Sequence, residues 1–285
     1  MTAWYRLDET DGGTYHVHAL DLTPIILDGT HLTLEDAIRV ANGAGGAVRV
    51  SDEARQRVRT CRALVDDLVQ RGDVVYGVTT GFGRLKDISI EPDDVRTLQR
   101  NLLLSHAMGV GPDSAPEVVR LLLLYRLNTL LQGRSGVREE TVDQILALLK
   151  RDVLPVVPEQ GSVGASGDLA PLSHLALVLI GEGEADVDGE RLGGAEALKR
   201  AGLLPLDLRA KEGLALINGT QFTAAVATLA LGRSWMLAAT ADIGCALTIE
   251  ALMGSAAPFD ERVGRLRPHP GHLEVSANVR RLLKG

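Results

Sequence analysis

The sequence predicts a mainly α protein, a bundle of long helices with a smaller mixed region on its N-terminal side. Three observations lead there. Apolar residues recur at helical spacing through several segments longer than an ordinary strand. Strands and helices do not alternate in the order that builds a doubly wound sheet. Aromatic residues make up only 3% of a chain that is 45% hydrophobic. Long aliphatic helices of that kind bury their faces against further helices or other subunits.

The elements follow in chain order. Residues 1–24 read as an N-terminal extension of strand and loop character, and residues 25–285 as the domain proper. IILDG at 25–29 reads as a strand and a turn. Thr33 is an N-cap for a helix through about Ala41, with Glu35 and Asp36 in its first turn. Ser51 caps a second helix, in which Val58, Cys61, Leu64, Val65 and Leu68 share helical spacing. VVYGVTTGFG at 74–83 is a glycine-rich aromatic loop, and a helix is predicted over 93–104. Pro116 opens VVRLLLLYRLNTLL, apolar on nearly all sides as a buried helix is. An amphipathic helix over 139–149 ends before Pro155 and Pro158. The glycine-rich run 161–167 leads into the helix LAPLSHLALVLIG, with Asp168 at its cap. Asp188-Gly189 between short apolar runs predicts a hairpin turn. Residues 221–256 read as one long helix with polar interruptions at Arg233, Asp242 and Glu250, and VSANVRRLLKG at the end returns to a helical pattern.

Charge and composition narrow the function. The formal net charge of -7 and the absence of a basic run argue against a nucleic-acid partner. Cys61 and Cys245 stand in no metal-ligand spacing and read as reduced core thiols, which fits a cytoplasmic protein. The opening MTAWYRLDETDGG lacks the apolar core of a secretory signal. The stretch 213–232 carries no formal charge and is long enough to test as a membrane span. Asn218, Gly219, Thr220 and Gln221 in its middle instead make it a buried helix or a site segment, and no membrane is expected. His16, His18, His31, His269 and His272 form no HxxxH or HExxH pattern, so no metal is expected. His174, on an apolar helix, reads as a core histidine with its hydrogen bond satisfied.

Chemistry concentrates in GSVGASGDLAPLSHLA, residues 161–176. Small neighbours let the Gly167 nitrogen approach the Ala165 carbonyl carbon, and a residue without Cβ permits the backbone angles this needs. Closure and loss of two waters would give a five-membered 4-methylidene-imidazol-5-one ring, with Ser166 becoming an exocyclic methylidene. Such a group is an electrophile that needs no metal and no added cofactor.

GSVGASGDLAPLSH resembles the signature of the histidine and phenylalanine ammonia-lyases. Further blocks resemble the same family in the same order: YGVTTGFG (76–83), NLLLSHAMGVG (101–111), RLNTLLQGRSGV (126–137), KEGLALINGTQ (211–221) and RPHPGH (267–272). The resemblance covers most of the chain from about Ile25 onward. It implies the ammonia-lyase (fumarase/aspartase-like) superfamily fold and a ring built from Ala165, Ser166 and Gly167. Tyr76 then matches the active-site tyrosine proposed as base toward the substrate's β-proton. Asn218 matches the asparagine beside the ring, where it can stabilise developing charge, and Gln221 supports it and is expected, with Ser105 and His106, among the substrate-binding residues.

Ser105 and His106 match the pair that lines the side-chain pocket. Histidine lyases typically carry Ser-His there, whereas phenylalanine lyases tend to carry an apolar Phe-Leu. A polar pair suits an imidazole, which offers both a donor and an acceptor. The resemblance therefore implies L-histidine as substrate, trans-urocanate and ammonia as products, and a homotetramer with sites shared between subunits. A phenylalanine or tyrosine lyase or aminomutase is the alternative within the family. A catalytically incomplete helical assembly subunit is the alternative outside it. The resemblance also implies that the chain holds the N-terminal and part of the central helical region, truncated at the C-terminus. The family's later Gln, Tyr and Arg for the substrate carboxylate, its later glutamate and its long C-terminal helices are expected outside this sequence.

Overall fold

A computed structural model describes residues 23–75, 77, 78, 80, 95–163 and 167–284. Two compact units divide the described residues, the first ending at Thr228 and the second beginning at Leu229.

In the first unit β1 (Ile25–Leu27) pairs in parallel with β2 (Val48–Val50), and α1 (Leu34–Ala41) forms the crossover between them. The Thr33 hydroxyl accepts from the Asp36 amide at 3.1 Å, the expected cap. The Ser51 hydroxyl likewise accepts from Ala54 at the start of α2 (Asp52–Arg71). Along α2 the inward face is narrower than its apolar spacing suggests. Val58 and Val65 are buried, but Leu64 is 58% exposed and Cys61 only half-buried. Cys245 is half-buried too, so neither thiol is the core residue expected.

The helix predicted over 93–104 runs two residues further, as α3 (Val95–His106). It therefore takes Ser105 and His106 into its last turn. β3 (Val110–Asp113) follows, then α4 (Pro116–Leu130), α5 (Glu139–Lys150), β4 (Leu154–Pro155), β5 (Pro158–Gln160) and α6 (Leu169–Leu179). Helix α4 packs on α1 and α5 and buries Val119, the run Leu121–Leu124, Leu127 and Leu130, as its all-round apolarity requires. β6 (Glu184–Val187) and β7 (Glu190–Gly193) form the predicted hairpin. Asp188 and Gly189 both take positive φ, 52° and 81°, as a two-residue type I′ turn demands. β4 adds to this hairpin as a third strand, and β3 pairs with β5.

The remaining elements of the first unit are α7 (Gly194–Arg200), α8 (Glu212–Ile217) and the opening of α9 (Gln221–Ala251). The charge-free stretch is thus broken at 218–220 into two helices. Helix α9 stops five residues short of the predicted end. Within the second unit, the rest of α9 is joined by α10 (Glu261–Leu266) and α11 (Pro270–Leu282). Asn278 on α11 donates to the Asp242 carboxylate on α9, and Val279 and Ser276 are buried.

Candidate active site

The first unit brings three segments of the sequence together. Helices α3, α6 and α8 pack against one another. The strand after α3 and the strand before α6 are paired, with Val110 opposite Gln160. The ends of these helices therefore converge on the connection from Gly161 into α6.

Gly167 and Asp168 close that connection. The Asp168 amide donates to the Gly219 carbonyl at 2.6 Å. Gly167 has φ +137°, and a Cβ placed on it would overlap the Gly219 carbonyl oxygen and come within 2.9 Å of the Gly219 nitrogen. No side chain fits there, and no L-residue favours that backbone angle. The end of the Ala-Ser-Gly tripeptide is thus held directly on the Asn218-Gly219 turn. Tyr76, Ala165 and Ser166 lie outside the described residues.

Asp168 takes the N-cap position of α6 expected of it but not the expected capping bond. Its carboxylate instead accepts from the Ser162 hydroxyl at 2.6 Å and from the Thr223 amide and hydroxyl, both at 2.8 Å. With 1% exposure, the group ties Ser162 and the start of α6 to the first turn of α9. Thr223 is a donor on a helix N-terminus, which suits a carboxylate better than the α6 end does here. Neither Ser162 nor Thr223 was singled out by the sequence, because a lone hydroxyl carries no pattern of its own.

Asn218 ends α8, and its side chain is exposed. Its backbone carbonyl accepts from Arg126 Nη1 at 3.1 Å. Gln221 begins α9 and is nearly buried. Its Oε1 accepts from the same Arg126 nitrogen at 3.2 Å, and its Nε2 donates to the Thr129 hydroxyl at 3.0 Å. Gln221 therefore supports the Asn218 turn from behind, through Arg126. The buried cation itself was not assigned a role from the sequence. The available signal was a charge inside the apolar run of α4.

Helix α8 has its own anchors. Glu212, fully buried, accepts from the Arg138 amide and guanidinium, the Thr141 hydroxyl and the Arg209 amide. The Gln99 side chain on α3 accepts from the Gly213 amide at 2.7 Å. These bonds fix α8 and hence the position of Asn218.

At the end of α3 the Ser105 hydroxyl and His106 Nδ1 both lie on the Leu102 carbonyl, at 3.0 and 2.8 Å. A carbonyl only accepts, so a bond to it takes a proton on Nδ1. Three residues on, the Gly109 amide donates to His174 Nε2 at 3.0 Å. His174 is the satisfied structural histidine the sequence suggested, and burial pushes its pKa below the usual histidine value.

Comparison with known proteins places this arrangement in context. Residues 32–285 match a family described as "Aromatic amino acid lyase". A histidine ammonia-lyase of Anaeromyxobacter dehalogenans (strain 2CP-C) is 53% identical over 268 residues, covering 92% of this chain and 53% of that protein. The crystal structure of tyrosine aminomutase from Streptomyces globisporus superposes with a TM-score of 0.86 at 40% identity, over 92% of this chain and 49% of that one. The structure of histidine ammonia-lyase from Trypanosoma cruzi gives 0.85 at 39% identity, over 90% and 50%. The chain spans about half the length of the curated relatives it matches.

Proposed function

Because the chain belongs to the aromatic amino acid lyase family, we propose that it serves the non-oxidative elimination of ammonia from L-histidine, giving trans-urocanate. The α-amino group leaves as ammonia, one β-proton is taken up, and a Cα–Cβ double bond forms. The proposed prosthetic group is a 4-methylidene-imidazol-5-one made from Ala165, Ser166 and Gly167. It would supply the electrophile that makes the amino group leave.

One observation carries the reading: Gly167 tolerates no side chain and is held, with Asp168, on the Asn218-Gly219 turn. That fit supports ring closure by the Gly167 nitrogen, because a Cβ there would push the loop off the turn. Asn218 directs an exposed amide from the same turn and can hold charge developing beside it. With Nδ1 engaged on the Leu102 carbonyl, Nε2 of His106 is left to meet the imidazole of histidine, and a site built to bond such a group discriminates against substrates that lack it. Tyr76 is the proposed base for the β-proton, acting at its phenol oxygen. The proposed working form is a homotetramer in the cytoplasm. The likeness to a tyrosine aminomutase favours a second reading, in which the same group acts on tyrosine.

The test uses the chain alone and in the longest form its gene encodes, with histidine, phenylalanine and tyrosine. Urocanate from histidine alone is expected. Cinnamate from phenylalanine, or product from tyrosine, overturns the histidine assignment. Intact mass should show the loss of two waters, abolished in Ser166→Ala. A matured ring without any product favours an assembly role instead.

A further inference from the structure

Arg126 is 2% exposed in the middle of α4. Among the described residues no carboxylate lies within ion-pair distance of it, and its Nε has no partner. An unpaired buried guanidinium is costly. Burial pulls its pKa down to about 10, so the group keeps its charge at neutral pH. Its bonds go to the Asn218 carbonyl and to Gln221 Oε1, both neutral acceptors.

The Asn218 carbonyl and the Gly219 N–H belong to one planar peptide unit. A cation donating to the oxygen of that unit polarises it and strengthens its N–H as a donor. Among the described residues the Gly219 N–H donates to none. It lies against Gly167, where a Cβ would sit 2.9 Å from its nitrogen.

The geometry points to Arg126 as a positioning residue that acts through the Asn218-Gly219 peptide, priming the Gly219 N–H, which donates to no described residue, to stabilise negative charge on the group formed at Ala165–Gly167. The inference rests on the function proposed above. The plain alternative is that Arg126 only ties α4 to the turn. The two differ in what they require: a tie needs the hydrogen bonds, whereas polarisation needs the uncompensated charge.

Two substitutions separate them. Gln221→Glu keeps an oxygen acceptor for Arg126 but pairs its charge. Arg126→Met keeps bulk and removes the charge, and Arg126→Lys restores it. The readout is the rate at which cyanide adds to the methylidene carbon. A carbon–carbon bond forms there, the displaced electron pair moves to the ring oxygen side, and a proton follows from solvent. The adduct is followed by intact mass and by loss of the ring's ultraviolet absorption.

Addition about tenfold slower in both Gln221→Glu and Arg126→Met, with at least partial recovery in Arg126→Lys, is expected. Failure of both charge-cancelling variants to lose two waters, with recovery in Arg126→Lys, has the same meaning. Wild-type rates in Gln221→Glu overturn the inference, and that variant decides alone if Arg126→Met does not fold. Equal loss in Arg126→Lys and Arg126→Met also overturns it, because shape rather than charge is then what matters. A wild-type chain with unmodified mass overturns the proposed function and this inference together. A matured wild type with unaffected variants overturns only the inference.

Discussion

At Gly167 the backbone turns through φ +137° with the Gly219 peptide filling the space where a Cβ would stand. Alanine there meets steric overlap and an unfavourable backbone angle together. Gly167→Ala is expected to prevent the loss of two waters and to lower stability by about 1–3 kcal/mol. Intact mass and denaturant midpoints check both, and a matured, equally stable variant would contradict the close approach. His174 supplies the pH dependence at this scale. Its Nε2 accepts from the Gly109 amide, so protonation would set two donors face to face. Burial lowers its folded-state pKa, so between the two pKa values the unfolded state binds more protons. This contribution to stability is complete above the unfolded value of about 6.5 and is lost as pH falls through the folded value. The melting temperature of wild type should therefore fall more steeply than that of His174→Gln as pH drops below about 6.5. An identical acid dependence in both would remove His174 from the account.

Among the elements, α8 leads into Asn218, the asparagine proposed for the site, and owes its position to Glu212. Its two carboxylate oxygens take five donors, and Arg138 is the cationic partner. Glu212→Gln replaces an acceptor by an amide donor in a fully enclosed place and leaves Arg138 without its counterion. The expected loss is on the order of 3 kcal/mol, read from urea unfolding, and a change below about 0.5 kcal/mol would mean the network is not holding the helix. Most elements could be read from the chain: Thr33 and Ser51 cap as their side chains predict, and the Asp188-Gly189 turn closes its hairpin. The short strands β2, β3 and β5 were not legible, since three or four residues cannot show a period. Asp168 was misread for a related reason. Its position marks a helix start, but the Thr223 donors that claim its carboxylate lie 55 residues away in sequence.

For the whole molecule, the second unit presents an unusual surface. Along α9 beyond the first unit, Trp235, Met236, Leu237, Ile243 and Leu247 are exposed, as are Leu252 and Met253 after its end. Contiguous apolar surface on an isolated chain drives association. Sedimentation of the 285-residue chain is expected to show concentration-dependent oligomers, reduced in the double variant Leu237→Lys, Leu247→Lys. A monomer at all concentrations would show that this surface is satisfied within the chain. The helix was legible as one long element interrupted by Arg233, Asp242 and Glu250, but which side would be covered was not, because three scattered polar residues name no face.

By itself the sequence determined the helical class, most helix boundaries, and the family blocks that name Ala165–Gly167, Asn218, Gln221 and Ser105-His106 as a set. Those features are local, set by period, cap chemistry and contiguous motif. Only the tertiary structure decided that Gly167 rests on Gly219, that the Asp168 carboxylate bonds Thr223 rather than capping α6, and that Arg126, with no carboxylate partner among the described residues, stands behind the Asn218 turn. Each of these depends on groups far apart in the chain competing for one buried polar partner, and that competition is resolved only when the helices pack.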